Sequence, residues 1–339
     1  MQIISLAGAF MALIMGSGFA SGQEVLRFFT AYGFPKSLWG LLIALLILSG
    51  TGARVMVDGR RLQPLSTGGV YRYYCGNRLG RLFELAIPLV MFCFLTVMIS
   101  GSGATFQEYY SVSGVIGRLF MAVIVAVTVS LGLSRLVKIL GFLGIIIIIS
   151  VIAMSVWGLL VSGAQDCRPC DPTNVALPKG ASFSWWMSGL LYGCMNITTA
   201  IPFLAGLGKE ANTVKGAGAA GSLGGLVFAF GVFIMNLMFL VRIQLVADKQ
   251  IPFLWVAHWL HPSLGTFFSL ILLGGIYTTA VPLLWSICDG MGSQPMTVFI
   301  VIFLAFIGSA FPFSYLVGTI YPATGFVGLF LLLCIFLKK

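Results

Sequence analysis

The sequence has little charge, few acidic residues and almost no histidine. Asp, Glu, Lys and Arg make up only 8% of its 339 residues, against roughly 25% in soluble domains. Hydrophobic residues make up 59%, so the chain is predicted to be an integral membrane protein. The two histidines, His258 and His261, lie in one segment, and no Ser/His/Asp or Cys/His pairing is evident,. We therefore do not expect an enzyme.

Two further motifs are missing. No G-x-x-x-x-G-K-S/T loop is present, so uphill transport would have to draw on an ion gradient rather than on this kind of nucleotide site. No organic cofactor is expected either. The first apolar segment has no basic region before it and no convincing cleavage site after it, so it is predicted to be a retained span rather than a signal peptide.

Long apolar runs predict membrane-spanning helices. Ten can be placed, which gives an all-α fold: Ile3–Phe29, Leu38–Val57, Leu82–Gln107, Val115–Leu131, Val137–Val161, Ser184–Leu207, Gly221–Val241, Ser263–Ile287, Met296–Phe311 and Tyr321–Phe336. Interfacial pieces are expected before the eighth and tenth spans, at Ile251–Leu260 and Phe313–Gly318.

The net charge of +10 is explained by topology. With the N-terminus in the cytoplasm, 12 of the 19 Lys and Arg residues fall inside, six fall outside, and Arg27 lies within the first span. This excess predicts that both termini are cytoplasmic. The basic loops are expected to contact anionic membrane lipids, and no nucleic-acid partner is expected.

Of the seven cysteines, only Cys167 and Cys170 are closely spaced. They lie in the predicted outer loop between spans five and six, without the second pair or nearby histidine that a zinc site would need. A small disulfide and two free thiols both remain open.

The first span contains three glycines within seven residues, followed by a carboxylate: Gly16, Gly18, Gly22 and Glu24. Glycine weakens a helix by about 1 kcal/mol relative to alanine. A helix broken within a bilayer is tolerated where the freed backbone faces protein, water or a ligand, and it is typical of secondary transporters. The break is therefore predicted to line a binding site.

The ten spans divide into two sets of five, at residues 1–165 and 182–339. Because each set contains an odd number of spans, the second set must be inverted in the membrane relative to the first. Span six is predicted to be broken at a depth matching the break in span one, because Gly193, Asn196 and Pro202 lie near the middle of span six,. The predicted substrate-binding residues are Ser17, Gly18, Phe19, Ser21, Gly22, Gly101, Ser102, Tyr192, Asn196, Thr198 and Thr199.

Three motifs carry a family resemblance: Gly18-Phe19-Ala20-Ser21-Gly22-Gln23-Glu24, Gly101-Ser102-Gly103-Ala104 with Glu108 after it, and Pro202 with Gly208-Lys209-Glu210. With these motifs the chain resembles the YkvI-like family of small bacterial membrane proteins, in the amino acid–polyamine–organocation superfamily. The resemblance implies a LeuT-type fold of five plus five inverted helices, with helices 1 and 6 discontinuous, in the bacterial cytoplasmic (inner) membrane.

The resemblance also implies an ion site. Sodium-coupled proteins of this fold hold Na⁺ between the unwound part of span one and two hydroxyl residues of span eight. The matching positions here are Ser17, Ala20, Gly275, Thr278 and Thr279. Some proton-coupled relatives place a lysine from span five there instead, and the segment 139–161 contains no ionisable residue. Na⁺ is therefore favoured over H⁺ as the coupling ion.

Charged residues near the predicted site have several interpretations. Glu24 and Arg27 share a helical face and could form a gate, or a purely structural ion pair. Alternatively, Glu24 carries a proton or binds a substrate ammonium. Glu108 is expected at the outer mouth.

Together these observations predict a Na⁺-coupled symporter for a small zwitterion, such as an amino acid or related amine. An H⁺-coupled transporter using Glu24, and a sensor that binds without transport, are the alternatives. The expected partners are the small-molecule solute and membrane lipids. The sequence does not fix the oligomeric state, with which a monomer is compatible.

Overall fold

The computed structural model describes residues 2–62, 67–131, 137–162, 178–290 and 295–338. These residues form helices and contain no strand. Cys167 and Cys170 lie outside the described residues. In chain order the helices are α1 (Gln2–Ile14), α2 (Ser17–Ser21), α3 (Gln23–Phe28), α4 (Lys36–Leu62), α5 (Thr67–Tyr109), α6 (Gly114–Leu131), α7 (Val137–Val161), α8 (Trp185–Glu210), α9 (Val214–Val241), α10 (Ile243–Val246), α11 (Pro252–Leu260), α12 (Pro262–Gly290), α13 (Pro295–Gly308) and α14 (Phe313–Leu337).

The first apolar segment is broken twice, as its glycines predict. Gly16 has an extended backbone (φ −79°, ψ 177°) and separates α1 from α2. Gly22, with φ 81°, lies in the left-handed region and separates α2 from α3,. A Cβ at Gly22 would lie 2.5 Å from a ring carbon of Phe239. Both its conformation and its packing therefore require glycine.

The prediction that helix 6 is discontinuous is wrong, because α8 runs unbroken from Trp185 to Glu210. Its polar side chains bond within the helix: Thr198 Oγ1 donates to the Cys194 carbonyl at 2.8 Å. Pro202 lacks the N–H that would bond the carbonyl of Thr198. The Tyr71 hydroxyl, on α5, donates to that carbonyl at 3.2 Å instead.

Helix α4 packs closely against α8 and α9 through small residues. A Cβ at Gly189 would overlap the Gly40 carbonyl, and one at Gly221 would overlap the Gly52 carbonyl. Such backbone contact is how small residues associate helices in membranes. Helix α1 joins this group by packing along α9.

Within the described residues, six helices are long and apolar enough to cross a membrane: α4, α5 (from Gly69), α8, α9, α12 (to Cys288) and α14. Four shorter apolar helical stretches accompany them, at Gln2–Met11, Gly114–Ser130, Ile146–Val161 and Met296–Gly308. A separate short helix, α11, stands where the piece at Ile251–Leu260 was expected. A separate piece at Phe313–Gly318 is not formed, because those residues are the first turns of α14.

Candidate functional site

The carboxyl group of Glu24 is buried at the break of the first segment. Glu24 is only 4% exposed and lies in the first turn of α3. Its side chain folds back over Gly18, where a Cβ would overlap the carboxyl oxygen Oε1. The glycine at position 18 therefore makes the space that the carboxyl group occupies.

Two phenol groups lie near this carboxyl. Tyr192 of α8 and Tyr321 of α14 are 1% and 2% exposed, and both interact electrostatically with Glu24. The Tyr192 hydroxyl lies within reach of the Glu24 carboxyl group and of the Asn196 amide, but no well-aligned hydrogen bond joins them, which leaves Glu24 Oε2 and the Tyr192 hydroxyl without one. Unsatisfied buried polar atoms are rare and costly, so this cluster is suited to binding a polar ligand.

Aromatic rings enclose the same cluster. The Tyr192 ring stacks on Phe228 of α9, with an interplanar angle of 3° and centroids 6.4 Å apart. Phe29 meets it edge-on at 4.9 Å. Phe19 packs on Phe228 at 5.1 Å and is fully buried. These rings shield the carboxyl group from bulk water, which strengthens electrostatic interactions inside.

Ser21 and Ser17 belong to the short helix α2. Ser21 Oγ donates to the Gly18 carbonyl at 2.9 Å and accepts from the Gln23 amide at 3.2 Å. It thus holds the turn that brings Glu24 over Gly18. Ser17 begins α2, and Gly16 before it supplies no side-chain cap.

Arg27 does not pair with Glu24. Its Nη1 donates to the main-chain carbonyl of Lys179 at 2.9 Å, which ties α3 to the segment before α8. The geometry therefore does not contain the ion pair that their spacing suggested, and it leaves the buried carboxyl without that cation.

Of the polar residues of α8, Asn196 lies near the Glu24 cluster, whereas Thr198 packs against α14. Asn196 Nδ2 donates to the Tyr192 carbonyl at 3.0 Å, one turn from the phenol beside Glu24. Thr198 packs against Gly328 of α14, where a Cβ would overlap its hydroxyl. Thr199 is partly buried.

The predicted residues of span three join helices to one another. A Cβ at Gly101 would lie 3.0 Å from the ring of Phe313 on α14. Ser102 Oγ donates to the Gly117 carbonyl on α6 at 2.9 Å. Glu108 accepts from the amides of Gln250 and Ile251, at 2.8 and 3.1 Å. These contacts fix α5 against α6 and α14, and fix the segment that leads into α11.

The predicted sodium ligands on α12 form a small hydroxyl pair. Thr278 Oγ1 and Thr279 Oγ1 both donate to the Gly275 carbonyl, at 3.0 and 2.9 Å. Helix α12 contacts α2, which carries the buried Ala20. The hydroxyl oxygens keep lone pairs, so the donor set is oxygen without full charge, and its chemistry fits Na⁺.

Sequence reasoning missed Tyr321 and Phe228 as neighbours of the site. Tyr321 was visible as a phenol within an apolar run, whereas nothing distinguished Phe228 from the other aromatics of its helix.

No family model matches this chain. YkvI, an uncharacterised membrane protein of Bacillus subtilis strain 168, is 25% identical over 341 residues, covering 98% of this chain and 95% of YkvI. A manganese transporter of Eremococcus coleocola has a TM-score of 0.62 at 13% identity, over 98% of this chain and 77% of that one. Mhp1, in an inward-facing conformation, also scores 0.62, at 14% identity over 96% and 73% of the two chains.

These comparisons confirm the resemblance that the motifs indicated. The relatives and neighbours are membrane proteins and transporters, not enzymes. The chain is an all-helical membrane protein with the LeuT fold, homologous to YkvI.

Proposed function

We propose that this protein is a secondary transporter that carries a small zwitterionic solute, such as an amino acid or related amine, together with Na⁺. The observation that carries the proposal is the Glu24 cluster. At the break of an apolar segment, the buried Glu24 Oε2 and the nearby Tyr192 hydroxyl make no well-aligned hydrogen bond. The LeuT-fold neighbours support a membrane transporter.

The unpartnered groups suit the two ends of a zwitterion. Glu24 Oε2 can accept a hydrogen bond, as an ammonium group requires. The Tyr192 hydroxyl can donate to the carboxylate or accept from the ammonium.

The orientation is part of the proposal. The six long and four shorter apolar helical stretches correspond to ten spans in two inverted sets, at residues 1–165 and 182–339. Both termini are then cytoplasmic, in the inner membrane of a bacterium. This orientation follows from the excess of basic residues in the inner loops.

Alternating access would move one group of helices against the rest. Helices α1, α4, α8 and α9 pack on one another through backbone-close contacts, so they can move as one body. Glu24 lies on α3, which follows α1 in the first segment, and Tyr192 lies on α8 of this group. Helix α14, which carries Tyr321, also packs on α8 through backbone-close contacts at Gly325 and Gly328. Movement of these helices together against the rest would expose the cluster to either side.

For the coupling ion, we propose Na⁺ between Thr278 and Thr279 of α12 and the carbonyls of Ser17 and Ala20 on α2, near Gly275. The contact between α2 and α12 supports this assignment. Proton coupling is the second candidate, because no ion pair to a basic residue neutralises Glu24 within the described chain. Glu24 itself would then carry the proton.

Uptake into proteoliposomes tests the proposal. Purified protein would be offered a panel of labelled amino acids and amines under an inward Na⁺ gradient, under K⁺, and under an inward proton gradient. We expect saturable uptake that requires Na⁺. Uptake that follows only the proton gradient would assign the coupling to Glu24. Binding without uptake would instead indicate a sensor, and a panel without any hit would remove the zwitterion assignment.

A matched pair of variants isolates the role of the carboxyl group. Glu24→Gln should reduce substrate affinity by at least about tenfold, because a charge-assisted hydrogen bond contributes roughly 1.5–3 kcal/mol. Glu84→Gln should leave affinity unchanged, because Glu84 pairs instead with Arg72 at 2.6 Å, across the bend that Gly76 (φ 75°) makes in α5. Equal affinities in Glu24→Gln and the parent protein would contradict the assignment.

A further inference from the structure

A cavity of about 530 Å³ lies apart from the Glu24 cluster. It opens between the end of α5, the start of α6 and the segment before α14, which is the outer side in the proposed orientation. None of the residues around Glu24 lines it. Its polar lining residues are Ser100, Gln107, Ser111, Ser113, Arg118, Gln250 and Ser309.

Arg118 is the one ionisable residue that lines this cavity. It forms no hydrogen bond or ion pair within the described part of the chain; its guanidinium group lies 5.9 Å from the ring centroid of Phe306. A neighbouring carboxylate, Glu108, is already bonded to the amides of Gln250 and Ile251. The positive charge of Arg118 is therefore not compensated by a protein carboxylate.

The backbone is shaped to hold Arg118 in place. A Cβ at Gly103 would lie 2.6 Å from Arg118 Cγ, so the arginine stem rests directly on α5. This contact gives the Gly101–Ala104 motif a role that the sequence did not indicate. Gly103 accepts the stem of Arg118, and Gly101 accepts the ring of Phe313 on the other side.

We propose that this cavity binds a phosphate group, with Arg118 as its principal ligand. A guanidinium presents several N–H donors in a planar fork that matches phosphate oxygens. The hydroxyls of Ser111 and Ser113 and the amide of Gln107 add neutral donors,. Because the proposed site shares no residue with the Glu24 cluster, it does not depend on the transport proposal.

Two sources could supply the phosphate group. Val115, Leu119 and Phe311 beside the cavity are 48%, 53% and 58% exposed, as expected for side chains that meet acyl chains. A phospholipid headgroup could therefore enter from the membrane, and a free phosphate from the aqueous side. In either case the ligand would bridge α5 and α6 to the start of α14, which Gln250 already holds through the Phe313 amide at 2.9 Å.

Thermal unfolding of the full-length protein distinguishes these sources. The protein would be placed in micelles of a phosphate-free sugar detergent, with and without inorganic phosphate at constant ionic strength, and in the same micelles with added phosphatidylglycerol. A ligand that saturates the folded state should raise the Tm by about 5 °C. A rise with phosphate alone indicates a free anion, and a rise only with phosphatidylglycerol indicates a lipid headgroup.

The same rise should disappear in Arg118→Gln and persist in Lys36→Gln, a matched loss of an exposed positive charge at the start of α4. Ala310→Trp, which fills the cavity and keeps Arg118, should also abolish the rise and decides the question if Arg118→Gln does not fold. No rise in the parent protein, or a rise that survives in Ala310→Trp, would overturn the proposal.

Discussion

The first apolar segment and α8 carry similar signals but fold differently. Each combines glycines with polar residues near its middle, yet the first is broken at Gly16 and Gly22 whereas α8 is continuous. In α8, Asn196 and Thr198 donate to carbonyls one turn back. In the first segment, Glu24 folds over Gly18 instead. The first segment breaks where Gly16 is extended and Gly22 has a positive φ, whereas α8 stays helical throughout, so the number of glycines alone does not predict a break.

The largest effect is expected from Gly18→Ala, which should displace the Glu24 carboxyl group. The new methyl group would overlap the carboxyl oxygen, and such overpacking typically costs about 1–3 kcal/mol. We expect a lower Tm and a loss of substrate binding, measured by thermal unfolding and by uptake in proteoliposomes.

Gly16→Ala is the matched control for this experiment. A Cβ at Gly16 has no neighbour within 4 Å, and its φ of −79° suits any residue. This variant should leave binding nearly unchanged. If Gly16→Ala lost substrate binding as Gly18→Ala does, the site would require the backbone break itself and not the space above Gly18.

The sequence predicted the broken segment because glycine spacing acts locally. It also placed α11 within one residue of its start, since Pro252 begins that helix,. It could not predict that α8 is continuous, because the compensation for Pro202 comes from Tyr71, 131 residues earlier in the chain. Partners brought together by tertiary packing leave no local pattern.

The same limit on prediction from sequence applies to the residues of the candidate site. Glu24 and Tyr192 could be selected as polar groups near helix interruptions, and the structure brings them together. Ser102 and Thr198 were selected on the same grounds, yet they bond Gly117 and Cys194 in helix packing. Residue type alone does not distinguish a side chain that lines a site from one that faces a neighbouring helix.

An intermediate effect is expected from Tyr71→Phe, which would leave the Thr198 carbonyl without its partner. Losing this bond should cost about 1 kcal/mol, seen as a lower Tm. In a Pro202→Ala background the restored N–H can bond that carbonyl, so the cost of Tyr71→Phe should fall towards zero.

Tyr73→Phe serves as the control for that cycle, because the ring of Tyr73 contacts Lys338 by a cation–π interaction that phenylalanine retains,. Its cost should be small in both backgrounds. A cost of Tyr71→Phe that is the same with and without Pro202 would mean that the tyrosine does not compensate for the proline.

The smallest effect on stability is expected from Thr279→Val. Thr278 and Thr279 donate to the same Gly275 carbonyl, so removing one hydroxyl leaves that acceptor satisfied. This redundancy distinguishes α12 from α8, where Thr198 alone bonds the Cys194 carbonyl through its side chain. We expect a change in Tm of less than about 2 °C, since less than 1 kcal/mol is lost. The apparent affinity for Na⁺ should nevertheless fall severalfold, measured by uptake at varied Na⁺, while Thr279→Ser should preserve it. Unchanged Na⁺ dependence in Thr279→Val would show that this hydroxyl only bonds its own helix, as Thr198 does.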